Sequence, residues 1–162
     1  MAAPLFDPHE LDGLYNRPGF MLRRCLQATG SVFGEECRDL GLTSGQYDIL
    51  HILNFKAEID QDELARALGL DRATTGAIAA TLERKRLIER QVKPADRRKR
   101  VLTLTKAGED IFKAAQPAAA AARDILFSTL SETEKGQFMD LLRKIAATAS
   151  PHARAPLQTK WR

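Results

Sequence analysis

The residues in this chain best suited to chemistry are cations, and they cluster around one acidic side chain. The stretch "PADRRKRVLTLTKAG", from Pro94 to Gly108, places Asp96 directly before the cationic run Arg97–Arg100. Guanidinium and ammonium groups bind phosphate oxygens strongly through charge-assisted hydrogen bonds. The first chemistry that the sequence suggests is therefore binding of a phosphate polyanion.

The positive charge is concentrated in one part of the chain. Residues 84–106 contain ten Lys and Arg residues and two acids, a net charge of +8, whereas the whole chain carries +4. The remaining residues therefore carry a net −4. A basic focus on a slightly acidic protein predicts one face for a polyanion partner. A solvated charged surface is the alternative, and it is disfavoured because the cations fall in a turn between two strands.

Length and composition limit the classes of protein. The 162 residues suffice for one domain with a core. No apolar run reaches the length of a membrane helix, and the N-terminus lacks a signal pattern, so we expect a cytoplasmic protein and no membrane partner. The three histidines, His9, His51 and His152, are scattered, and neither a Gly-rich phosphate loop nor a nucleophile–base pair is recognisable. We therefore predict no enzyme, no cofactor and no metal site.

The two cysteines allow two interpretations. Cys25 and Cys37 are twelve residues apart in what reads as one helix. That separation is about 18 Å along a helix, too far for a disulfide within one chain. We expect buried structural thiols, and the alternative is a redox-sensing thiol that pairs across a dimer.

Hydrophobic periodicity and capping residues predict the elements. An irregular N-terminus precedes six helices, at 19–39, 44–55, 61–68, 72–85, 106–130 and 132–148. The predicted N-caps are Thr43, Asp60, Asp71, Thr105 and Ser131. Strands are expected at 87–92 and 100–104, with a turn at "KPAD". Pro117 should kink or break the long helix that contains it.

Two short helices separated by "GLD" form a helix-turn-helix, and a β-hairpin follows at once. This combination is a winged helix. The predicted fold is mainly α with a small β-hairpin, flanked by helices at both chain ends.

The winged helix predicts a set of DNA contacts. The second helix of such a motif enters the major groove by its N-terminal residues, and the tip of the hairpin offers arginine to a narrow minor groove. Asp96 is expected to hold a neighbouring arginine in position. The predicted DNA-binding residues are Arg72, Thr74, Thr75, Gly76, Arg84, Lys85, Asp96, Arg97, Arg98, Lys99 and Arg100. The alternative for the helix residues is a small capped helix without a ligand.

The motif Asp96-x-Arg98-x5-Leu104-Thr105-x-x-Gly108, after "LERKRLIER", resembles the MarR family of bacterial transcriptional regulators over residues 20–148. The resemblance implies a homodimer on a pseudo-palindromic operator in double-stranded DNA, and usually repression relieved by a small ligand. It also implies a single domain with dimerisation helices at 19–42 and 106–150 and a winged helix-turn-helix at 43–105. The tail at 151–162 has no periodicity, and we expect it to be mobile. Arg98 would be the minor-groove arginine. Arg86 stands where the family commonly has glycine.

Dimerisation also follows from size. A winged helix of about 60 residues is marginal alone, and apolar helices at both chain ends need each other or a twin. Two-fold symmetry would set the two recognition helices roughly 34 Å apart, one turn of DNA.

A ligand site is suggested by a second, shorter resemblance. The stretch "RPGFMLRRCLQ" is similar to the first helix of family members that control aromatic-compound catabolism. An arginine beside aromatic rings suits an aromatic acid or its acyl-CoA thioester. The candidate effector-binding residues are Tyr15, Arg17, Phe20, Arg23, Arg24, Tyr47 and His51. The alternatives are solvent or partner contacts for Arg23 and Arg24, and core positions for Tyr47 and His51.

Two other functions remain open at this point. One is a thiol-based redox-sensing repressor of the same fold, and the other is a winged helix used for protein contact. DNA affinity that falls with salt would separate the latter from a DNA-binding protein.

Overall fold

Helices dominate the chain, and a small sheet lies in its middle. The computed structural model describes the backbone of residues 8–93 and 96–156, and the side chains of residues 9, 11–92 and 101–156. The helices are α1 (Asp12–Tyr15), α2 (Pro18–Glu36), α3 (Ser44–Phe55), α4 (Gln61–Leu68), α5 (Arg72–Arg84), α6 (Lys106–Leu126) and α7 (Glu132–Ala149). The strands are β1 (Ile59–Asp60), β2 (Ile88–Lys93) and β3 (Asp96–Leu104). This order confirms the predicted fold class.

The predicted N-caps are present in the structure. Thr43, Asp60 and Ser131 each accept a hydrogen bond from the backbone N–H three residues later, and the third residue's side chain accepts one from the cap's own N–H. Asp71 and Thr105 accept the same forward bond. The sequence therefore predicted correctly where each of these five helices begins.

The sheet has one strand more than predicted. Its strand order is β1-β3-β2, and both pairings are antiparallel. The short β1 pairs Ile59 with Leu102. In addition, β3 begins at Asp96, not at residue 100, and Lys93 pairs with Asp96. A register shift separates this pair from the neighbouring pair Val92–Arg100. The predicted strand was too short because the charged residues at its start show no apolar alternation.

One core joins the helices to the sheet. Its fully buried side chains come from α3, α4, α5, β2 and β3, and they include Ile49, Leu50, Leu64, Leu82, Ile88 and Leu102. Phe33 of α2 and Phe112 of α6 extend the same core. The winged helix-turn-helix is therefore packed directly on two of the flanking helices.

The long helix α6 is continuous through Pro117. Pro117 was predicted to kink or break this helix, and the break does not occur. Proline removes one backbone donor, which leaves the carbonyl of Lys113 without its intrahelical partner. Lys113 and Pro117 are both exposed, so water can hydrate that carbonyl.

The first turn of α6 lies against the start of the wing. A Cβ atom at Gly108 would fall well inside van der Waals contact of the Leu87 carbonyl oxygen. The Thr105 hydroxyl donates to the same oxygen at 3.1 Å and to the Arg86 oxygen at 2.7 Å. Glycine is thus required for this close approach of helix to strand.

The flanking helices differ in how they end and how much they bury. Helix α2 ends at Glu36, before the predicted residue 39, and a 3-10 turn follows at Arg38–Leu40. Helix α7 has no buried residue. Exposed large apolar side chains on α2, α6 and α7 are Met21, Leu22, Leu26, Ile125, Met139, Leu141 and Ile145. Much of the apolar surface of these helices is therefore left uncovered within one protomer.

Candidate nucleic-acid interface

The N-terminus of α5 is capped by Asp71 and exposes the side chains of Arg72 and Thr74. Asp71 accepts two bonds from Thr74, from the backbone N–H and from the hydroxyl, each 2.8 Å. These bonds, the backbone one first, lower the pKa of the Asp71 carboxyl below its ordinary value. The first turn of the helix is thereby fixed, and Arg72 and Thr74 are exposed on it.

Arg72 also contacts the preceding helix. Its Nε lies 3.2 Å from an Asp62 carboxylate oxygen, and both side chains are at least half exposed. Such an exposed pair contributes little to stability, so Arg72 can leave it for a stronger anion.

Thr75 and Gly76 do not have the surface roles that the sequence suggested. Thr75 is fully buried, and its hydroxyl donates to the Asp71 backbone oxygen at 3.0 Å. Its side chain therefore does not reach a bound duplex in this conformation, which corrects its inclusion among the contact residues. Gly76 faces the protein as well: a Cβ there would lie 2.8 Å from Gln61 Nε2. The missing side chain makes room for Gln61 rather than for DNA.

The C-terminal end of α5 carries three consecutive cations with different surroundings. Arg84 is exposed and donates to Thr81. Lys85 donates to the Gly41 backbone oxygen and to Gln46 Oε1, so its ammonium joins the end of α5 to the start of α3. Lys85 is nevertheless exposed, so its assignment to DNA stays a prediction.

Arg86 adopts the backbone conformation that its position demands. Its φ of 58° is positive, a value that no other non-glycine residue takes within residues 8–93 and 96–156. Arginine is strained in this left-handed region because its Cβ approaches the following carbonyl. The left-handed conformation is therefore present where the family commonly has glycine, at a cost in stability.

The wing hairpin places the remaining cations at its far end. Strands β2 and β3 pair up to Lys93 and Asp96. The side chains of Asp96, Arg97, Arg98, Lys99 and Arg100 lie outside the described residues. Their assignment to DNA remains a prediction from the sequence.

The candidate effector residues fall into two aromatic groups. In one, Tyr47 stacks on Phe112 at 5.4 Å between ring centroids, and His51 meets the same ring edge-on at 5.6 Å. Burial is the main cause that raises the pKa of the Tyr47 phenol. Tyr47 and His51 thus join α3 to α6. Tyr47 is partly buried and packs against the core, as its core alternative expected, whereas His51 is exposed and is not a core residue.

The second group is on the N-terminal helices. The rings of Tyr15 and Phe20 lie 5.5 Å apart, and the Arg23 guanidinium carbon lies 5.3 Å from the Phe20 ring centre. Arg17 and Arg24 are exposed. An arginine over one ring of an aromatic pair is therefore present on this surface.

A groove that the sequence did not predict lies between α3 and α4. It has a volume of about 600 Å³ and is lined by His51, Ile52, Phe55, Lys56, Ile59, Glu63, Arg66 and Ala67. Phe55 is 92% exposed beside it. Periodicity could not reveal this groove, because it depends on the angle between two helices.

A hydrogen-bonding network around Arg90 was also missed. Arg90 contacts Glu83 and Gln61, and Gln61 in turn contacts the start of α5. In the sequence, Arg90 is one of the ten Lys and Arg residues between positions 84 and 106. Its partners are distant in the chain, so no local pattern identifies them.

Other kinds of site find no support in the residues that the structure covers. Among residues 8–93 and 96–156, no group of three or more His, Cys, Asp or Glu is placed to hold a metal ion. No helix in the same ranges is long and apolar enough to cross a bilayer.

Comparison with known sequences identifies relatives that are transcriptional regulators. A family model described as the MarR family matches residues 40–99. The transcriptional repressor NicR of Pseudomonas putida is 31% identical over 127 residues, which is 78% of this chain and 80% of NicR. The transcriptional regulator HosA of Escherichia coli O111:H- is 33% identical over 132 residues, 82% of this chain and 96% of HosA.

Solved structures agree with this result. BpsR of Bordetella bronchiseptica, whose DNA binding is regulated by 6-hydroxynicotinic acid, is 28% identical, with a TM-score of 0.77 over 82% of this chain and 95% of BpsR. PcaV of Streptomyces coelicolor with its natural ligand is 29% identical, with a TM-score of 0.76 over 92% and 99%. The repressor CouR on a 23-mer DNA duplex is 26% identical, with a TM-score of 0.79 over 89% and 99%.

These relatives are regulators, which confirms the prediction that the chain is not an enzyme. The winged helix-turn-helix, the DNA-binding role and the long matches to NicR and HosA together lead to one conclusion. The chain belongs to the MarR family of helix-turn-helix transcriptional regulators.

Proposed function

We propose that this protein is a homodimeric repressor that binds a pseudo-palindromic operator and leaves it when a small aromatic acid, or its acyl-CoA thioester, binds. The observation that carries the proposal is the capped N-terminus of α5, where Arg72 and Thr74 are exposed at the start of the recognition helix. A repressor of this kind acts in the cytoplasm.

The major-groove contacts are assigned to the exposed residues of α5. Arg72 donates to guanine edges or to phosphate, and Thr74 contacts a base or phosphate once its hydroxyl turns from Asp71. Arg84, at the other end of the helix, binds the backbone of the duplex. Thr75 is left out of this set because it is buried.

The wing supplies the second contact. Arg98 enters the minor groove, Asp96 positions it, and Arg97, Lys99 and Arg100 neutralise nearby phosphates. This assignment rests on the family motif and on the position of these residues at the start of β3, which pairs antiparallel with β2.

The dimer is supported by apolar side chains on the flanking helices. Leu26 is 73% exposed on α2, and Leu141 is 58% exposed on α7. Exposed apolar surface of this extent on several helices marks an interaction surface. A second copy, packed by two-fold symmetry, covers these helices and presents two copies of α5 to successive turns of the duplex.

The effector class is supported by this chain and by its neighbours. Arg23 over Phe20, with Tyr15 alongside, combines a cation and aromatic rings at the N-terminal end of α2. BpsR responds to 6-hydroxynicotinic acid, an aromatic acid. Arginine with aromatic rings suits the carboxylate and the ring of such a ligand. Arg17 and Arg24 remain candidates for a carboxylate or thioester phosphates.

Redox sensing remains as a second candidate through one cysteine. Cys37 is fully buried, and burial together with Glu36 raises the pKa of its thiol, so it is a poor nucleophile. Cys25 is exposed on α2, contrary to the expectation that both thiols are buried. A Cys25→Ser variant that still binds and releases DNA would remove this candidate.

The test begins with selection from a randomised pool of double-stranded DNA. The duplex enriched most strongly by the wild-type protein is called the selected duplex. We expect Arg98→Ala to weaken binding to it at moderate salt, and an aromatic acid or CoA thioester to raise the melting temperature and release the duplex. Undiminished binding by Arg98→Ala would overturn the wing assignment. Binding that does not change with salt would favour a protein partner.

A further inference from the structure

Arg90 joins the wing to both ends of the recognition helix. Its Nε lies 3.3 Å from a Glu83 carboxylate oxygen, in the last turn of α5. Its Nη1 donates to Gln61 Oε1 at 3.2 Å, and Gln61 Nε2 donates to the Arg72 backbone oxygen, in the first turn of α5, also at 3.2 Å. We call these three side chains, Arg90, Gln61 and Glu83, the Arg90 network.

The chemistry of the groups fixes their orientation. A guanidinium only donates, so Arg90 must face the carbonyl oxygen of the Gln61 amide. The amide nitrogen then points away from Arg90 and donates to the Arg72 oxygen. Gly76 leaves the space for this nitrogen, since a Cβ there would lie only 2.8 Å from it. The Gln61 amide of α4 thus links β2, through the Arg90 side chain, to α5, through the Arg72 backbone oxygen.

The position of Arg90 in the sheet gives the network its mechanical role. Arg90 is on β2 and pairs with Leu102 of β3, so it moves with the wing hairpin. Gln61 is the first residue of α4, and Glu83 is in the last turn of α5. Tilting α5 relative to the wing would stretch at least one of the two Arg90 contacts.

Arg90 is also poorly suited to contact DNA itself. Its side chain is 28% exposed, the Glu83 carboxylate balances its charge, and two of its donor groups already have protein partners. Arg72 and Arg84, by comparison, are both exposed, at the two ends of α5.

We propose that Arg90 is a positioning residue for sequence recognition. Through Gln61 and Glu83 it holds the recognition helix at a fixed angle to the wing, so that both reach their grooves together, without touching the duplex. This inference rests on the proposed function, because it assigns a role within DNA binding by α5 and the wing.

The test compares two DNA probes and two kinds of variant. Arg90→Ala and Gln61→Ala are measured on the selected duplex and on a duplex of the same composition in scrambled order, over a series of salt concentrations. Arg38→Ala is the matched control, because Arg38 makes only an exposed ion pair with Glu35 at 3.8 Å among the described contacts. Circular dichroism and sedimentation confirm that each variant is folded and has the mass of the wild type.

The expected result is a loss of discrimination. Both variants should bind the selected duplex about tenfold more weakly, the order of one lost base contact, and bind the scrambled duplex like the wild type. The slope of log affinity against log salt should not change, since no phosphate contact is lost. A variant that carries both substitutions should bind the selected duplex no more weakly than the single variant with the lower affinity, because both residues act through one network.

Other results would overturn the proposal. A salt slope reduced by about 0.9, with equal losses on both duplexes, would make Arg90 a phosphate contact. Unchanged affinity in both variants, while Arg98→Ala still loses binding, would refute the network and leave the proposed function intact. Failure of the wild type to enrich any duplex would refute the proposed function, and the inference with it.

Discussion

The winged segment, residues 43–105, and the terminal helices α2, α6 and α7 differ in how many large apolar side chains they leave exposed. In the winged segment, Ile49, Leu50, Leu64 and Leu82 are fully buried within one protomer. On the terminal helices, seven large apolar side chains remain exposed, and α7 buries none of its residues. In the proposed dimer, the exposed apolar side chains of the terminal helices are covered by a second copy, whereas most of the core of the winged segment is formed within one chain.

The first way to test this contrast is to open a cavity in the winged segment. Leu82→Ala should lower the free energy of unfolding by about 2–5 kcal/mol, because Leu82 is fully buried in the core. Val92→Ala is the matched control, since Val92 is about half exposed on β2 and should change stability by less than about 0.5 kcal/mol. Chemical denaturation at one fixed protein concentration measures both. Equal losses in the two variants would contradict the described core.

A charge placed on the terminal helices tests the other half of the contrast. Leu26→Glu should weaken the dimer by at least about 100-fold, because burying an unpaired carboxylate costs several kcal/mol. Phe55→Glu is the control: Phe55 is even more exposed but lies outside the terminal helices. Sedimentation should show one protomer for the first variant and two for the second. The reverse pattern would place the dimer interface on the α3–α4 groove.

A smaller effect is expected at Arg86, in the turn between α5 and β2 of the wing. Arg86→Gly should raise the free energy of unfolding by about 1 kcal/mol, because glycine adopts the positive φ of 58° without strain. Arg84→Gly, two residues earlier inside the helix, should lower it by about 1 kcal/mol. Thermal unfolding distinguishes the two. Destabilisation by both substitutions would mean that Arg86 makes contacts worth more than its strain.

The smallest effect concerns pH and the cap of the recognition helix. Hydrogen bonds from Thr74 lower the pKa of Asp71 in the folded protein. This cap therefore stabilises the fold at pH values above the unfolded pKa, and the contribution is lost as the pH falls through the folded one. Asp71→Asn keeps a capping oxygen but does not titrate. The difference in melting temperature between wild type and variant should shrink on acidification. A melting-temperature difference that stays constant with pH would show that protonation of Asp71 is not coupled to folding.

Local signals in the sequence predicted much of this fold. Thr43, Asp60, Asp71, Thr105 and Ser131 all cap helices, since capping depends on residues only three positions apart. Arg86 differs in kind: it was singled out by the resemblance, which places glycine at this position, and its backbone takes a positive φ. These features are fixed by backbone chemistry over a few residues.

Features that depend on distant contacts were missed. β1 is only two residues long and exists because Ile59 and Asp60 pair with β3, some forty residues later. The sequence placed Thr75 on the DNA-facing surface, but its direction depends on the packing of α5. The Arg90 network joins residues 61, 83 and 90, and no spacing rule links them.

The most direct test of the account is the mass of the protein on DNA. Sedimentation equilibrium of the wild-type protein with the selected duplex should give two protomers per duplex, with an affinity that falls as salt is raised. One protomer per duplex, or an affinity independent of salt, would contradict a symmetric dimer that holds DNA by its recognition helices and wings.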